Sequence, residues 1–310
     1  MTSKTHEFQS VTLYGVAHSP WVQGIRLALA HHQIPTRLTS YPISLSWFWQ
    51  RGLTFPALQL ADGTTHFDSF KMYELLEMHG LSLGFHQVNE NARNQAQLDM
   101  ERLFTAYAVG RGVWGKKWRF MKAWSCMQEE PSSLSGIVWR ALLACYFFVL
   151  IQLGIRLAKS KKRKPYDLDI IDRRLDDWDL RCSKARWLTG DAPGFLDFAL
   201  WGQIQCMSSG LTDELLPLLQ SKKNLMQWLE RLMATLPTYR PRYSQRLFDN
   251  RAETDAASKG KQLQFWGALF LWIVIGPLTV GIIFVSLVNR LKNPARSGAL
   301  LERQRKNKKE

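Results

Sequence analysis

The sequence predicts a small α/β domain at the N-terminus, an all-α domain behind it and one membrane-crossing helix near the C-terminus. Three observations predict this. Up to residue 82, short β-branched and aromatic runs broken by Gly, Pro and Asp alternate with helical periodicity. From 90 to 250 the apolar spacing is helical. Residues 265–288, "FWGALFLWIVIGPLTVGIIFVSLV", hold 24 uncharged positions. As a helix that run is about 36 Å long, more than the roughly 30 Å of bilayer hydrocarbon.

The elements follow in order. "VTLYG" at 11–15 is a short strand ended by Gly. "SPWVQGIRLALAHHQ" at 19–33 is a helix, with Ser19 a good N-cap and Pro20 suited to the first helical position. "IPTRLTSYPI" returns as an extended segment. "FPALQLADGTTHFD" is a hairpin turning on the dipeptide Asp62-Gly63. "SFKMYELLEMHG" is a helix ended by Gly80. This α/β domain spans 8–82.

The helical domain spans 90–250. Its helices are read at "NARNQAQLDMERLFTAYAVGRGVWG", "DLDIIDRRLDDWDLRCSKARWLTG", "GFLDFALWGQIQCM" and "NLMQWLERLMATLP". In the second, Ile170, Leu175, Trp178 and Leu180 lie on or near one face. An apolar and basic insertion occupies 136–165. Its uncharged core, 141–155, is shorter than the roughly 20 residues a span needs and reads as a buried or interfacial helix. The cationic run "KSKKRK" after it is a solvated loop or a contact for lipid head groups. A transmembrane segment at 264–289 and a basic tail at 290–310 complete the chain.

Composition narrows the function. Hydrophobic content of 46% over 310 residues excludes a disordered chain. A net charge of +15 with no helix-turn-helix, zinc or RNA-binding motif argues against nucleic acid as partner. The basic clusters flank apolar segments, which favours an anionic lipid membrane. Cys126, Cys145, Cys182 and Cys206 are widely spaced and form no C-x-x-C. No metal site is expected from them, and free thiols in a reducing cytosol are. "MTSKTHEFQS" lacks the apolar core of a signal peptide.

The stretches "LYGVAHSPWVQGIRLAL", "FPALQLADG…FDS" and "WLTGDAPGFLDFAL" resemble glutathione S-transferases in their order and spacing. The resemblance covers most of 10–240. It implies a thioredoxin-like N-terminal domain followed by the all-α C-terminal domain of that family, here in a membrane-anchored member. It implies that glutathione is the co-substrate and that a homodimer forms.

The resemblance also implies roles for single residues. Phe55 and Pro56 would grip the cysteinyl part of glutathione, through a cis bond that turns the backbone groups of Phe55 outward. Pro56 read by itself is an ordinary strand-start proline. Asp68 would face the ammonium of the γ-glutamyl end, and Ser69 its carboxylate. Ser69 by itself reads as a helix cap. Ser19 would donate to the glutathione sulfur and favour the thiolate; by itself it too is a cap. His18 reads as a loop histidine without a role, and Tyr14 as structural. Gly194 and Asp197 fit the family's helix-capping motif, with Gly194 replacing the usual Ser or Thr and weakening the cap.

Two functions follow from the resemblance. The first is a membrane-anchored detoxifying transferase that joins glutathione to apolar electrophiles, or reduces them with it. The second is a non-catalytic adaptor of the same fold acting in membrane organisation or protein interaction. The folded domains are expected to face the cytosol. The tail charges and Gly276-Pro277 leave a single kinked span and a one-leaflet hairpin both open.

Overall fold

The computed structural model describes residues 10–41, 56–108, 168–209 and 214–236. It also describes 44, 46, 134–136, 138, 139, 143, 239, 245–248 and scattered positions from 259 to 289. Four strands, β1 (Val11–Tyr14), β2 (Thr36–Thr39), β3 (Ala57–Gln59) and β4 (Thr65–Phe67), form one sheet in the order β2-β1-β3-β4. β1 pairs parallel with β2 and antiparallel with β3. A parallel pair needs a crossover, and α1 (Pro20–His31) supplies it. β3 and β4 form the hairpin, and α2 (Ser69–Met78) follows directly. This is the thioredoxin-like order the sequence predicts.

The hairpin departs from its expected turn. Leu60 and Thr64 still pair, with Leu60 N–H donating to Thr64 O at 3.0 Å. Gly63 N–H donates to Leu60 O, and Gly63 sits at φ 85°. The loop is therefore three residues, a turn closed by one left-handed glycine, and not the two-residue turn Asp62-Gly63. Asp62 braces it by accepting from Thr64 N–H and from the Thr64 hydroxyl. The predicted stop of α2 holds: Gly80 lies at φ 95° and donates to Glu77 O.

The helical part comprises α3 (Glu90–Ala108), α4 (Leu168–Lys184), α5 (Phe195–Met207), α6 (Leu215–Gln220), α7 (Lys223–Ala234) and the short α8 (Gln245–Phe248). α5 is its axis, and all thirteen of its residues are buried. α4 buries Ile171, Leu175, Trp178 and Cys182, while Leu180 stays 55% exposed. Spacings of four, three and four keep the buried set on one helical face. Leu180 falls off that face, so its assignment to the stripe is corrected.

α5 also joins the two parts, because it crosses α1 at glycines. A Cβ on Gly202 would lie 2.2 Å from Pro20 O, and one on Gly24 3.1 Å from Phe198 O. The two backbones therefore touch directly. Beside the crossing, Gln23 Nε2 donates to Ala17 O, and the Tyr239 hydroxyl donates to Gln23 Oε1.

Most of the insertion at 136–165 lies outside the described residues, but Trp139 does not. It stacks on Tyr41 with ring centroids 5.4 Å apart, and its Nε1–H donates to Ser40 Oγ at 2.9 Å. It therefore seats on the end of β2, the sheet's edge strand, where exposed ladder groups are a liability. The 264–289 segment is described only at scattered positions. Among the described residues no helix is long and apolar enough to cross a membrane. Cys182 and Cys206 are free and buried; Cys126 and Cys145 lie outside the described residues.

Candidate functional site

Two helix N-termini meet at one edge of the thioredoxin-like part. α1 begins at Pro20, with Ser19 ahead of it in extended backbone (φ −128°, ψ 125°). The Ser19 hydroxyl makes no capping hydrogen bond, contrary to the cap expected from sequence. Its carbonyl accepts from Gln23 N–H and starts the helix. The N–H groups of Trp21 and Val22, which an N-cap oxygen would accept from, are therefore not capped by Ser19.

α2 begins at Ser69, which is buried. The cap there is Asp68, not Ser69: Asp68 Oδ1 accepts from Phe70 N–H at 3.0 Å. Asp68 sits at φ 79°, ψ 113°, a conformation that an L-residue adopts only under strain of order 1–3 kcal/mol. That torsion turns the chain from β4 straight into α2. Both helix starts leave first-turn N–H groups outside the helical ladder, with the positive dipole end facing out.

The two N-termini lie close together. Trp21, two residues after Ser19, packs edge-to-face on Phe70 with centroids 6.3 Å apart, and on Phe104 of α3 at 6.3 Å. Trp21 and Phe104 are both half-buried. The first turns of α1 and α2 therefore touch through Trp21 and Phe70, and Phe104 of α3 packs on the same Trp21 ring. Pro56 is buried at the mouth of β3, and Phe55 lies outside the described residues. Tyr14 donates its hydroxyl to Gln59 Oε1 at 3.0 Å across β1 and β3, the structural role expected of it.

His18 has a role the sequence reading denied it. It is buried, and its Nε2 lies 2.8 Å from Ser209 Oγ just past α5. Ser209 gives its single hydroxyl proton to Cys206 O at 2.8 Å, which makes Nε2–H of His18 the donor to Ser209 Oγ. The bond pins the turn ahead of Ser19 to the end of the central helix. No local signal could reveal it, since the partners are 191 residues apart.

Burial lowers the His18 pKa from its ordinary 6.5 to about 4. A histidine depressed in the folded state stabilises fully above its unfolded pKa and progressively less as pH falls toward the folded value. Unfolding free energy from urea titrations should therefore drop by about 2 kcal/mol between pH 7 and pH 5 through His18 alone. His18→Gln, which keeps a donor without the titration, should flatten that slope. An unchanged slope in the variant would show that His18 is not the group responsible.

The cap of α5 is rebuilt in a way the sequence did not show. Gly194 N–H donates to Asp197 Oδ2 at 3.0 Å, which is one half of a capping box. A glycine cannot supply the other half. The Thr189 hydroxyl supplies it, accepting Leu196 N–H at 3.2 Å, while Phe195 N–H donates to Leu83 O at 2.9 Å. A Cβ on Gly194 would stand 2.4 Å from Leu83 O and 2.7 Å from Thr189 Cβ. Gly194 is thus required by the substitute cap, and does not weaken the helix start.

Among the described residues, no group of three or more side chains of metal-ligating type gathers. No family model matches the sequence. No curated protein matches it either. Solved structures do resemble the chain. A possible glutathione S-transferase from Rhodopseudomonas palustris is 18% identical over 73% of this chain and 94% of its own, with a TM-score of 0.41. A glutathione S-transferase from Methylobacillus flagellatus, solved with glutathione bound, is 15% identical over 74% of this chain and 98% of its own, at TM-score 0.45. A glutathione transferase homologue from Drosophila mojavensis with bound glutathione is 17% identical over 84% of this chain and 96% of its own, at 0.44.

Proposed function

We propose that this chain binds glutathione at the paired N-termini of α1 and α2 and joins it to apolar electrophiles at a membrane. One observation carries the reading: the two helix starts converge at the Trp21–Phe70 contact, and the Ser19 hydroxyl there is not spent as a cap. In this reading the γ-glutamyl carboxylate takes the N–H and the hydroxyl of Ser69, and Asp68 faces the ammonium. Phe55 and Pro56 hold the cysteinyl part. The Ser19 hydroxyl donates to the sulfur and, with the α1 dipole, favours thiolate. The thiol proton leaves to solvent, and the thiolate attacks the acceptor's electrophilic carbon; as the C–S bond forms, either the bond to a leaving anion breaks with its electron pair, or an activated C=C bond gives up its π pair, which takes a proton from solvent. Trp21 and Phe104 offer the apolar acceptor its wall.

Membrane anchoring belongs to the same reading. Trp266, Phe270, Ile273, Val274 and Phe284 are exposed at helical positions, Phe270 at 69%. Side chains of this kind favour lipid over water. The folded parts would face the cytosol, and the basic clusters anionic lipid. Deleting 262–310 should then release the protein from membranes, read by flotation; persistence of the deletion variant on membranes would remove 265–288 as the anchor.

Two substitutions test the site. Ser69→Ala should weaken glutathione binding by about 1–3 kcal/mol in calorimetry, because a charged ligand loses a buried partner. Ser19→Ala should remove the thiolate absorbance of bound glutathione at neutral pH while leaving binding nearly intact. Equal affinity in the first variant would remove the γ-glutamyl assignment, and equal absorbance in the second the role of Ser19. The adaptor reading has one observation in its favour, the seating of Trp139 on Tyr41 and Ser40. Wild-type protein that binds no glutathione would favour it.

A further inference from the structure

The helical part holds a cleft. It lies between the C-terminal end of α4, the segment after it and one face of α7, and has a volume of about 330 Å³. Lys184, Arg186 and Arg231 line it, with the side-chain amides of Asn224 and Gln227. No lining residue carries a carboxylate. The remaining titratable side chain, Cys182, is buried, and burial pushes its thiol up to about 12, so it brings no negative charge.

The neighbouring charges are already committed. Asp179 accepts from Asn224 Nδ2 and from Leu225 N–H at the start of α7, both at 2.8 Å. Lys222 bridges Asp172 and Asp176. Arg181 pairs with Asp99 at 2.7 Å and lies over the Trp178 ring. The three cations of the cleft are different. Among the described residues none of them is ion-paired. Arg186 is aligned over the Trp187 ring at 5.8 Å. Arg231 is half-buried, and its Nε is buried with no hydrogen-bond partner. Its Nε is shut off from water, so an anion in the cleft would pair with the terminal N–H groups of the same guanidinium.

We propose that this cleft is a binding site for a phosphoryl group, carried by a small phosphate monoester. A dianionic monoester matches three cations that form no ion pair, with planar and amide donors beside them. The volume lies at the small end of ligand sites, which suits a compact polar molecule rather than a dinucleotide. The site is remote in sequence from Ser19 and Ser69 and stands whether or not glutathione binds there.

The test titrates the full-length chain in detergent with inorganic phosphate at constant ionic strength, followed by calorimetry and thermal unfolding. Saturable binding at one site is expected, with a rise in melting temperature. Arg231→Gln and Lys184→Gln should each weaken it at least tenfold. Arg173→Gln, an equal charge change at the other end of α4, should leave it unchanged. Non-saturable binding would overturn the site. So would an equal loss in the Arg173 variant, which would mean that the +15 surface alone attracts phosphate. A second arm compares glycerol 3-phosphate with dibutyryl phosphatidic acid. Tighter, Arg231-dependent binding of the first assigns a soluble ester as the source, and of the second a lipid head group; dependence of neither on Arg231 overturns the proposal.

Discussion

Gly202→Ala is expected to destabilise the fold by about 3 kcal/mol or more, the upper end of what overpacking costs. On helix propensity alone the change should help, since alanine is better than glycine inside a helix by roughly 1 kcal/mol. The sequence forgoes that gain because of what α1 presents there. The added methyl would meet Pro20 O at 2.2 Å, Gly24 N at 2.6 Å and Gly24 Cα at 3.1 Å. These are backbone atoms, so no rotamer change relieves the clash and the helices must separate. Separation opens the buried contact of His31 with Phe198 and strains the His18–Ser209 bond. It also moves the start of α1, so the glutathione binding proposed above should fall even in molecules that stay folded. A lowered urea midpoint with an unchanged slope is the expected readout. A variant as stable as the parent would mean that the two helices do not cross at this distance.

Much of this architecture was legible because it is local. A strand followed by Ser-Pro, an apolar helical stripe and a Gly stop specify β1, α1 and α2 through a helix-starting proline, periodicity and a left-handed glycine, which act within a few residues. Where sequence and structure differ, the cause is contact beyond the local stretch. The hairpin loop is one residue longer than Asp62-Gly63 implies because Leu60 and Thr64 continue the pairing, and only the register shows that. The cap of α5 is stronger than its motif implies because its substitute, Thr189, lies outside the motif. The role of His18 is hidden in the sequence because Ser209 is far along the chain. At the site, Ser19 and Ser69 could be read as helix starts. That neither hydroxyl caps could not be read: Ser19 makes no capping bond, and at α2 the turn of the backbone at Asp68 makes Asp68 the cap. The aromatic wall of Trp21 and Phe104 joins two parts of the chain whose mutual packing no periodicity encodes. The 265–288 reading falls largely on positions outside the described residues.

Asp197→Ala is the second large effect, expected at about 3–5 kcal/mol, with loss of soluble folded protein as its everyday symptom. The Asp197 side chain is fully buried and serves four donors. Oδ1 accepts from Leu188 N–H at 3.0 Å and from Trp228 Nε1–H at 2.8 Å. Oδ2 accepts from Gly194 N–H at 3.0 Å and from the Thr189 hydroxyl at 3.2 Å. Burial pushes the carboxyl pKa up, and the four donors oppose that shift. Every partner donates, so only the carboxylate satisfies them all. Alanine would strand these groups in a dry interior, and unmade buried hydrogen bonds are more expensive than made ones are favourable. Asn keeps the shape and one acceptor oxygen, but it points an NH₂ at two donors, so Asp197→Asn should recover little. Thr189→Ala, which removes one donor and the α5 cap together, should cost only about 1 kcal/mol. The ordering is the decisive measurement in urea titrations of the three variants: Ala and Asn at position 197 both far below Thr189→Ala. An Asn variant close to the parent would mean that the carboxylate is not the hub, and that Trp228 and the 188–194 segment are held by packing instead.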